Sequence, residues 1–126
     1  MDRKTVREHL LARPEAIEDF PFGPEVAVFR VRGKMFALLG HREGVDSVNL
    51  KCDPDEAQAL RDIFPGVIPG YHMDKKHWNT VLLDGTVPDY EIERMMDRSY
   101  GLIVKGLRKV EREALEFAHG ADTIYR

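Results

Sequence analysis

The stretch from Ala27 to Leu39 constrains the fold most tightly. Ala27-Val28-Phe29-Arg30-Val31 and Met35-Phe36-Ala37-Leu38-Leu39 are apolar runs rich in β-branched and aromatic residues, separated only by Arg32-Gly33-Lys34. Five-residue runs are strand-length rather than helix-length, and a glycine between them supplies the backbone freedom of a tight reversal. The pair therefore reads as an antiparallel hairpin. The near-continuous second run predicts a central strand covered on both faces. His41–Asp46 reads as a longer loop. Ser47-Val48-Asn49-Leu50-Lys51-Cys52 then alternates as a third strand, with Val48, Leu50 and Cys52 pointing the same way.

Helices flank these strands. Residues 2–13 place Val6 and Leu10 on one face, with Asp2 as the N-cap and Pro14 as the stop. The breaker-rich stretch 18–24 follows, its Phe20 and Phe22 expected to plug the edge of the core. Asp53 is read as an N-cap with Pro54 in the first helical position and Glu56 three residues on, and Ala57, Leu60 and Phe64 follow at helical spacing up to Pro65-Gly66. No periodicity organises 67–77. Residues 78–83 read as a fourth strand. Asp89 is expected to cap a last helix whose face is Ile92, Met95, Met96, Ser99, Ile103 and Leu107, with 108–118 continuing it and 119–126 frayed. The order is helix, three strands, helix, strand, helix. It predicts an α+β domain over 1–126, with a largely antiparallel sheet and helices packed on it.

The bulk numbers narrow the function classes. At 126 residues one hydrophobic core suffices without staples, and the single cysteine, Cys52, rules out an intramolecular disulfide and any multi-cysteine metal site. A charged N-terminal stretch and no long apolar run lead to the expectation of a cytoplasmic protein without membrane association. The formal net charge is -3 and the pI about 5.9, so any contact with nucleic acid needs a local basic patch on an acidic body. One such region exists: residues 26–52 carry Arg30, Arg32, Lys34, Arg42 and Lys51 against only Glu43 and Asp46. A second basic run, Lys105, Arg108, Lys109 and Arg112, is equally well explained as favourable placement against a helix dipole.

The segment Pro69-Gly70-Tyr71-His72-Met73-Asp74-Lys75-Lys76-His77-Trp78-Asn79 concentrates chemistry. Lys75 and Lys76 can hold phosphates, Tyr71 and Trp78 can stack on bases, and Asn79 can pair with a base edge or phosphate. The same residues also read as rim aromatics and solvated lysines of a fourth strand. His72, Asp74 and His77 are ligand types at a spacing that matches no standard zinc motif, so no metal or cofactor is assigned. No nucleophile elbow or glycine-rich phosphate loop is present, and Cys52 reads as a buried thiol, so no catalytic residue is assigned.

The order Gly33-Lys34-Met35-Phe36-Ala37, Asn49-Leu50-Lys51-Cys52-Asp53-Pro54, Pro69 to Asn79, and Asp97-Arg98-Ser99-Tyr100 resembles the MmcQ/YjbR family over about residues 5–107, leaving 108–126 as a C-terminal extension. The resemblance implies a fold similar to the CyaY (frataxin)-like sheet. It also implies a DNA-binding type of protein with a "double wing" arrangement, a description that comes from fold comparison. Carried over position by position, it points to Lys34, Lys51, Tyr71, His72, Lys75, Lys76, His77, Trp78 and Asn79 as nucleic-acid contacts. The alternative is a protein- or small-ligand-binding module with a polar pocket around His72, His77 and Trp78. A third class, an enzyme using His72 or His77 as acid or base, rests only on histidine titrating near neutral pH.

Overall fold

The computed structural model describes residues 1–126. Eleven elements follow one another: α1 (Arg3–Leu11), β1 (Ile17–Asp19), β2 (Ala27–Val31), β3 (Lys34–Arg42), β4 (Val45–Lys51), α2 (Pro54–Ile63), β5 (Val67–Pro69), β6 (Trp78–Leu82), α3 (Asp89–Lys105), α4 (Lys109–His119) and α5 (Ala121–Ile124). The strands form one sheet in the order β1-β2-β3-β4-β6-β5, and every pairing is antiparallel. No helix is long and apolar enough to cross a membrane.

Strand alternation sorts the side chains onto two faces. Leu39, Val48, Val81 and Val67 lie across from one another on one face, as do Phe29, Ala37, Leu50 and Asn79. This face is covered by the helices, with α3 packed on β2, β3 and β4 and α2 beside β5. The helix-facing apolar residues join one core cluster with Val6, Leu10, Ile92, Met96 and Tyr100. A shift in register between Phe29 and Arg30 marks a bulge in the β2–β3 pair. Ser99, on the apolar face of α3, stitches the helix to the sheet: its hydroxyl donates to the Phe36 carbonyl at 2.6 Å and accepts from the Lys51 amide at 2.8 Å. The second face of the sheet has no helix on it, so helices cover β3 on one face only, where its apolar run suggested cover on both.

The structure departs from several expectations. The predicted loop over 41–46 is a tight reversal. Glu43 and Gly44 both have positive φ, +51° and +84°, the pairing of conformations found in type I′ hairpin turns, and β3 and β4 pair up to Arg42 and Val45. Ile17–Asp19 adds an edge strand, while Phe20 and Phe22 are exposed rather than plugging the core. Val67–Pro69 adds another strand at the opposite edge. Asp2 caps α1 through the Thr5 amide, but Asp53 and Asp89 do not cap their helices. Asp53 instead pairs with Arg98, and Asp89 with the N-terminal ammonium.

The C-terminal residues are packed, not frayed. α3 ends at Lys105, and Leu115 of α4 and Ile124 of α5 are fully buried in the core cluster. The anchor is Arg13, whose side chain is fully buried. Its guanidinium stacks over the Tyr100 ring at 4.4 Å and donates to the carbonyls of Thr123 and Ile124 at 2.9 and 3.0 Å. Those carbonyls lie at the end of α5 and lack helical partners, so a buried cation satisfies them and the helix dipole together. Asp97 supplies the countercharge, 3.4 Å from Arg13 and 2.9 Å from His9. Burial alone raises the Asp97 carboxyl, but the His9 hydrogen bond and the charges of His9, Arg13 and Arg126 outweigh it and hold the group below its usual value.

Two stability measurements test this arrangement. Ile124→Ala should cost about 2–5 kcal/mol in denaturant unfolding, as for a core position, although it lies in the last turn of the last helix. Asp97→Asn should cost about 3 kcal/mol at neutral pH, because it leaves the buried Arg13 cation without its partner. A depressed carboxyl contributes stability above its unfolded value near 3.8 and loses it as pH falls through the folded value, so the gap between wild type and Asp97→Asn should narrow below about pH 4.

Candidate functional site

The helix-free face of the sheet carries the candidate site. At alternate positions along the β3–β4 hairpin, Leu38 lies opposite Asn49, Gly40 opposite Ser47 and Arg42 opposite Val45. Gly40 leaves a gap in this row. A Cβ there would meet only the Leu38 Cδ2 at 3.5 Å, so the space above it is open. The gap is the floor of a groove of about 600 Å³. Phe22 and Val26 line it from the chain entering β2, and Tyr71, His72 and Met73 from the segment before β6. Arg3 ties floor to wall, because its guanidinium donates to the carbonyls of Glu25 at 2.8 Å and Gly40 at 3.0 Å.

The 70–77 segment folds back onto the sheet for local reasons. Gly70 donates to the Trp78 carbonyl at 2.9 Å, and a Cβ on it would sit 2.9 Å from both that oxygen and the Trp78 Cβ, so only glycine allows this approach. The Tyr71 backbone is then held at both ends. Its N–H donates to Thr80 Oγ1 at 2.9 Å, and its carbonyl accepts from Asn49 Nδ2 at 3.2 Å. Thr80 Oγ1 in turn donates to Asn49 Oδ1 at 2.6 Å, which closes the triangle. His72 sits at φ +59°, an uncommon conformation for a residue with a side chain, and its ring packs 4.1 Å from that of Tyr71. The Tyr71 ring also carries the Arg42 guanidinium, 4.6 Å from its centroid.

The nine residues singled out in the sequence are divided by this geometry. Tyr71 and His72 line the groove; Lys34, Lys51, Lys75, Lys76, His77, Trp78 and Asn79 do not. Lys34 begins β3, and Lys51 ends β4 opposite Trp78, so these three mark the end of the sheet away from Arg42. Lys75 Nζ donates to the Gly70 carbonyl at 3.2 Å, and Lys76 is exposed. His77 Nδ1 bonds Asp74 at 2.8 Å, which, with the Lys76 amide on the same carboxyl, lowers the Asp74 carboxyl. Asn79 is buried on the helix side of the sheet, where its amide accepts from Arg61 at 2.7 Å and donates to the Ala57 carbonyl. It holds α2 in place and faces away from solvent. Cys52 is buried in the core, and burial pushes its thiol up to about 11, so it stays protonated at neutral pH.

Sequence reasoning does not single out Gly40, Arg42 and Ser47 as site residues. Their signal is present: Leu38-Gly40-Arg42 and Ser47-Asn49 are period-two sets that share a face once the Glu43-Gly44 turn is recognised.

Comparison with known proteins agrees with this architecture. The YjbR family model matches residues 11–102. The chain is 38% identical over 94 residues to the uncharacterised protein YbdF of Escherichia coli O157:H7, covering 75% of this chain and 77% of that one. It is 32% identical over 108 residues to the uncharacterised protein YjbR of Escherichia coli K12, covering 86% and 92%. Among solved structures, Deinococcus radiodurans protein DR2400, with its DUF419 domain, superposes with a TM-score of 0.81 at 38% identity, over 89% of this chain and 86% of that one. Sequence match and superposition together cover most of the sheet and the groove on it: the chain belongs to the YjbR family.

Proposed function

We propose that this chain is a small-ligand-binding module and that the groove on the helix-free face is its site. One observation carries the reading: the groove combines an apolar floor and walls, from Met35, Leu38, Val26, Phe22 and Met73, with a few polar groups that the fold leaves unused. A volume of about 600 Å³ falls within the range of sites for small organic molecules. The Arg42 guanidinium rests on Tyr71 and pairs with no carboxylate, and the Ser47 hydroxyl makes no hydrogen bond within the protein. This differs from a polar pocket built on His72, His77 and Trp78, since of those three only His72 reaches the groove. The test is a fragment titration of ¹⁵N-labelled protein. Amide shifts should concentrate at 38–42, 47–49 and 71–73; hits that map elsewhere overturn the reading.

A second reading, contact with a nucleic-acid backbone, is supported by a different observation. Most arginines are ion-paired, including Arg7 with Glu18, Arg30 with Asp19, Arg32 with Glu15 and Arg94 with Glu56. Lys34, Lys51, Lys75 and Lys76 form no ion pair, and Lys34, Lys75 and Lys76 are exposed. In this reading the four lysines neutralise phosphates and Tyr71 and Trp78 stack. Affinity for duplex DNA should then fall with salt. Lys75→Ala/Lys76→Ala should make the log–log slope shallower by about 2, near 0.9 for each phosphate that a lysine no longer neutralises. Absence of a complex at low salt overturns it. The same double variant should leave the groove shifts unchanged.

A further inference from the structure

We infer that the groove selects a small amphipathic monoanion: an apolar body ended by a carboxylate or similar singly charged acid group. The inference rests on the reading of the groove as a ligand site and adds the chemical class of its occupant.

Charge sets the groove apart from the rest of the surface. None of the residues lining it is an aspartate or glutamate. In a chain of net charge -3 that is a local reversal, and Arg42 is the only arginine or lysine among the lining residues. Most other arginines have a carboxylate partner; Arg42 has an aromatic ring. Stacking at 4.6 Å from the Tyr71 centroid holds the guanidinium in place without consuming its N–H donors. A fixed planar fork of this kind matches an acid group through two parallel hydrogen bonds. His41 at the rim is already bonded to Asp46 at 3.1 Å, so it does not compete for that role.

A second observation points to the same end of the groove. Ser47 is almost fully buried, at 6% exposure, yet its hydroxyl has no partner in the protein and lies on the groove lining. It sits opposite Gly40, beside the Arg42–Val45 pair. The hydroxyl oxygen is open to the groove rather than sealed from water, so together with the unpaired guanidinium it offers a second donor to an acceptor bound there. One guanidinium and one hydroxyl suit a single negative charge; a phosphate dianion would remain under-compensated.

The other end is apolar. Leu38 lies four residues along the strand from Arg42, about 13 Å at the usual strand rise, with Met35 beyond it. An aromatic bicycle with its acid group spans much of the distance from the polar head to the apolar floor. Gly40 between them leaves room for the flat body to lie on the sheet.

Two dyes with the same apolar body provide the test: 8-anilinonaphthalene-1-sulfonate and its uncharged parent N-phenyl-1-naphthylamine, each titrated by fluorescence against the intact protein. The sulfonate should bind about ten-fold tighter or more, as one charge-assisted hydrogen bond implies. Arg42→Gln should abolish that preference, bringing the two dyes to similar affinity, since the charged partner of the sulfonate is removed. Gly40→Phe fills the floor and should weaken both dyes, with a dispersed amide spectrum establishing that the variant is folded. Equal affinity of the two dyes, binding of neither, or a preference that survives Arg42→Gln overturns the inference about charge and leaves the groove reading standing. Undiminished binding of both dyes to folded Gly40→Phe overturns the groove reading itself.

Discussion

Asn49 and Thr80 sit side by side at the middle of the helix-free face, and everything on that face depends on what they hold. Both are almost fully buried and polar, on a sheet face that no helix covers. Left alone they would destabilise the fold, because unsatisfied polar groups out of water cost about 1–3 kcal/mol each. They are satisfied by one another and by the two ends of the Tyr71 residue, in a closed triangle. A buried network that is complete fixes geometry more sharply than apolar packing does. Its consequence is mechanical. It pins an otherwise aperiodic segment onto the sheet, brings the Tyr71 ring under the Arg42 guanidinium, and turns a flat face into a walled groove.

The two faces solve different problems. The helix side is closed by apolar packing, and the last two helices complete it. There Arg13 sets a buried charge against the end of α5, balanced by Asp97 and the Tyr100 ring. Ser99 makes the equivalent local repair between α3 and the sheet, at the point where β4 ends. That closure is what leaves the opposite face free. With the core already sealed, the outer face needs no helix, and it can carry a gap at Gly40 without exposing the core.

What could be read from the sequence follows from the range of the forces involved. The β2–β3 hairpin, the first half of the α3 face from Ile92 to Ser99 and the start of α2 at Pro54 were legible, because periodicity and backbone-restricting residues act over a few positions; further along α3 it is Tyr100 and Val104, not Ile103, that are fully buried. The edge strands Ile17–Asp19 and Val67–Pro69 were not: each is three residues long and exists only because a longer neighbour offers it hydrogen bonds. The same holds for α5, which is held by Arg13 from the far end of the chain, and for α4 packed against it. Charge pairing was equally hidden. Asp53 looks like a cap by position, but Arg98 on a distant helix takes its carboxylate. Within the candidate site, Tyr71 and His72 were identified, since unusual residues stand out in a string. Asn79 stood out in the same string, yet it faces the helices one strand position away from Thr80, and strand parity decides its fate. Gly40 and Ser47 are ordinary residues whose value lies in what they leave unoccupied.

The division of cations then explains how an acidic chain can present two basic features without conflict. Arginine's fork suits fixed partners, and here it is engaged mostly inside the fold: on Glu15, Glu18, Asp19, Glu56 and backbone carbonyls. Lys34, Lys75 and Lys76, more strongly hydrated, stay exposed and form no ion pair. Arg42 departs from this pattern, since an aromatic ring holds it and no protein acceptor takes its N–H groups. Its carrier is an aromatic ring whose own position is set by the Asn49–Thr80 triangle. The chain of dependence therefore runs from a backbone register, Asn49 opposite Thr80, to the Tyr71 backbone, to its ring, to a guanidinium. A charge positioned through these steps and left uncompensated within the protein is the feature on which the proposed anion site rests.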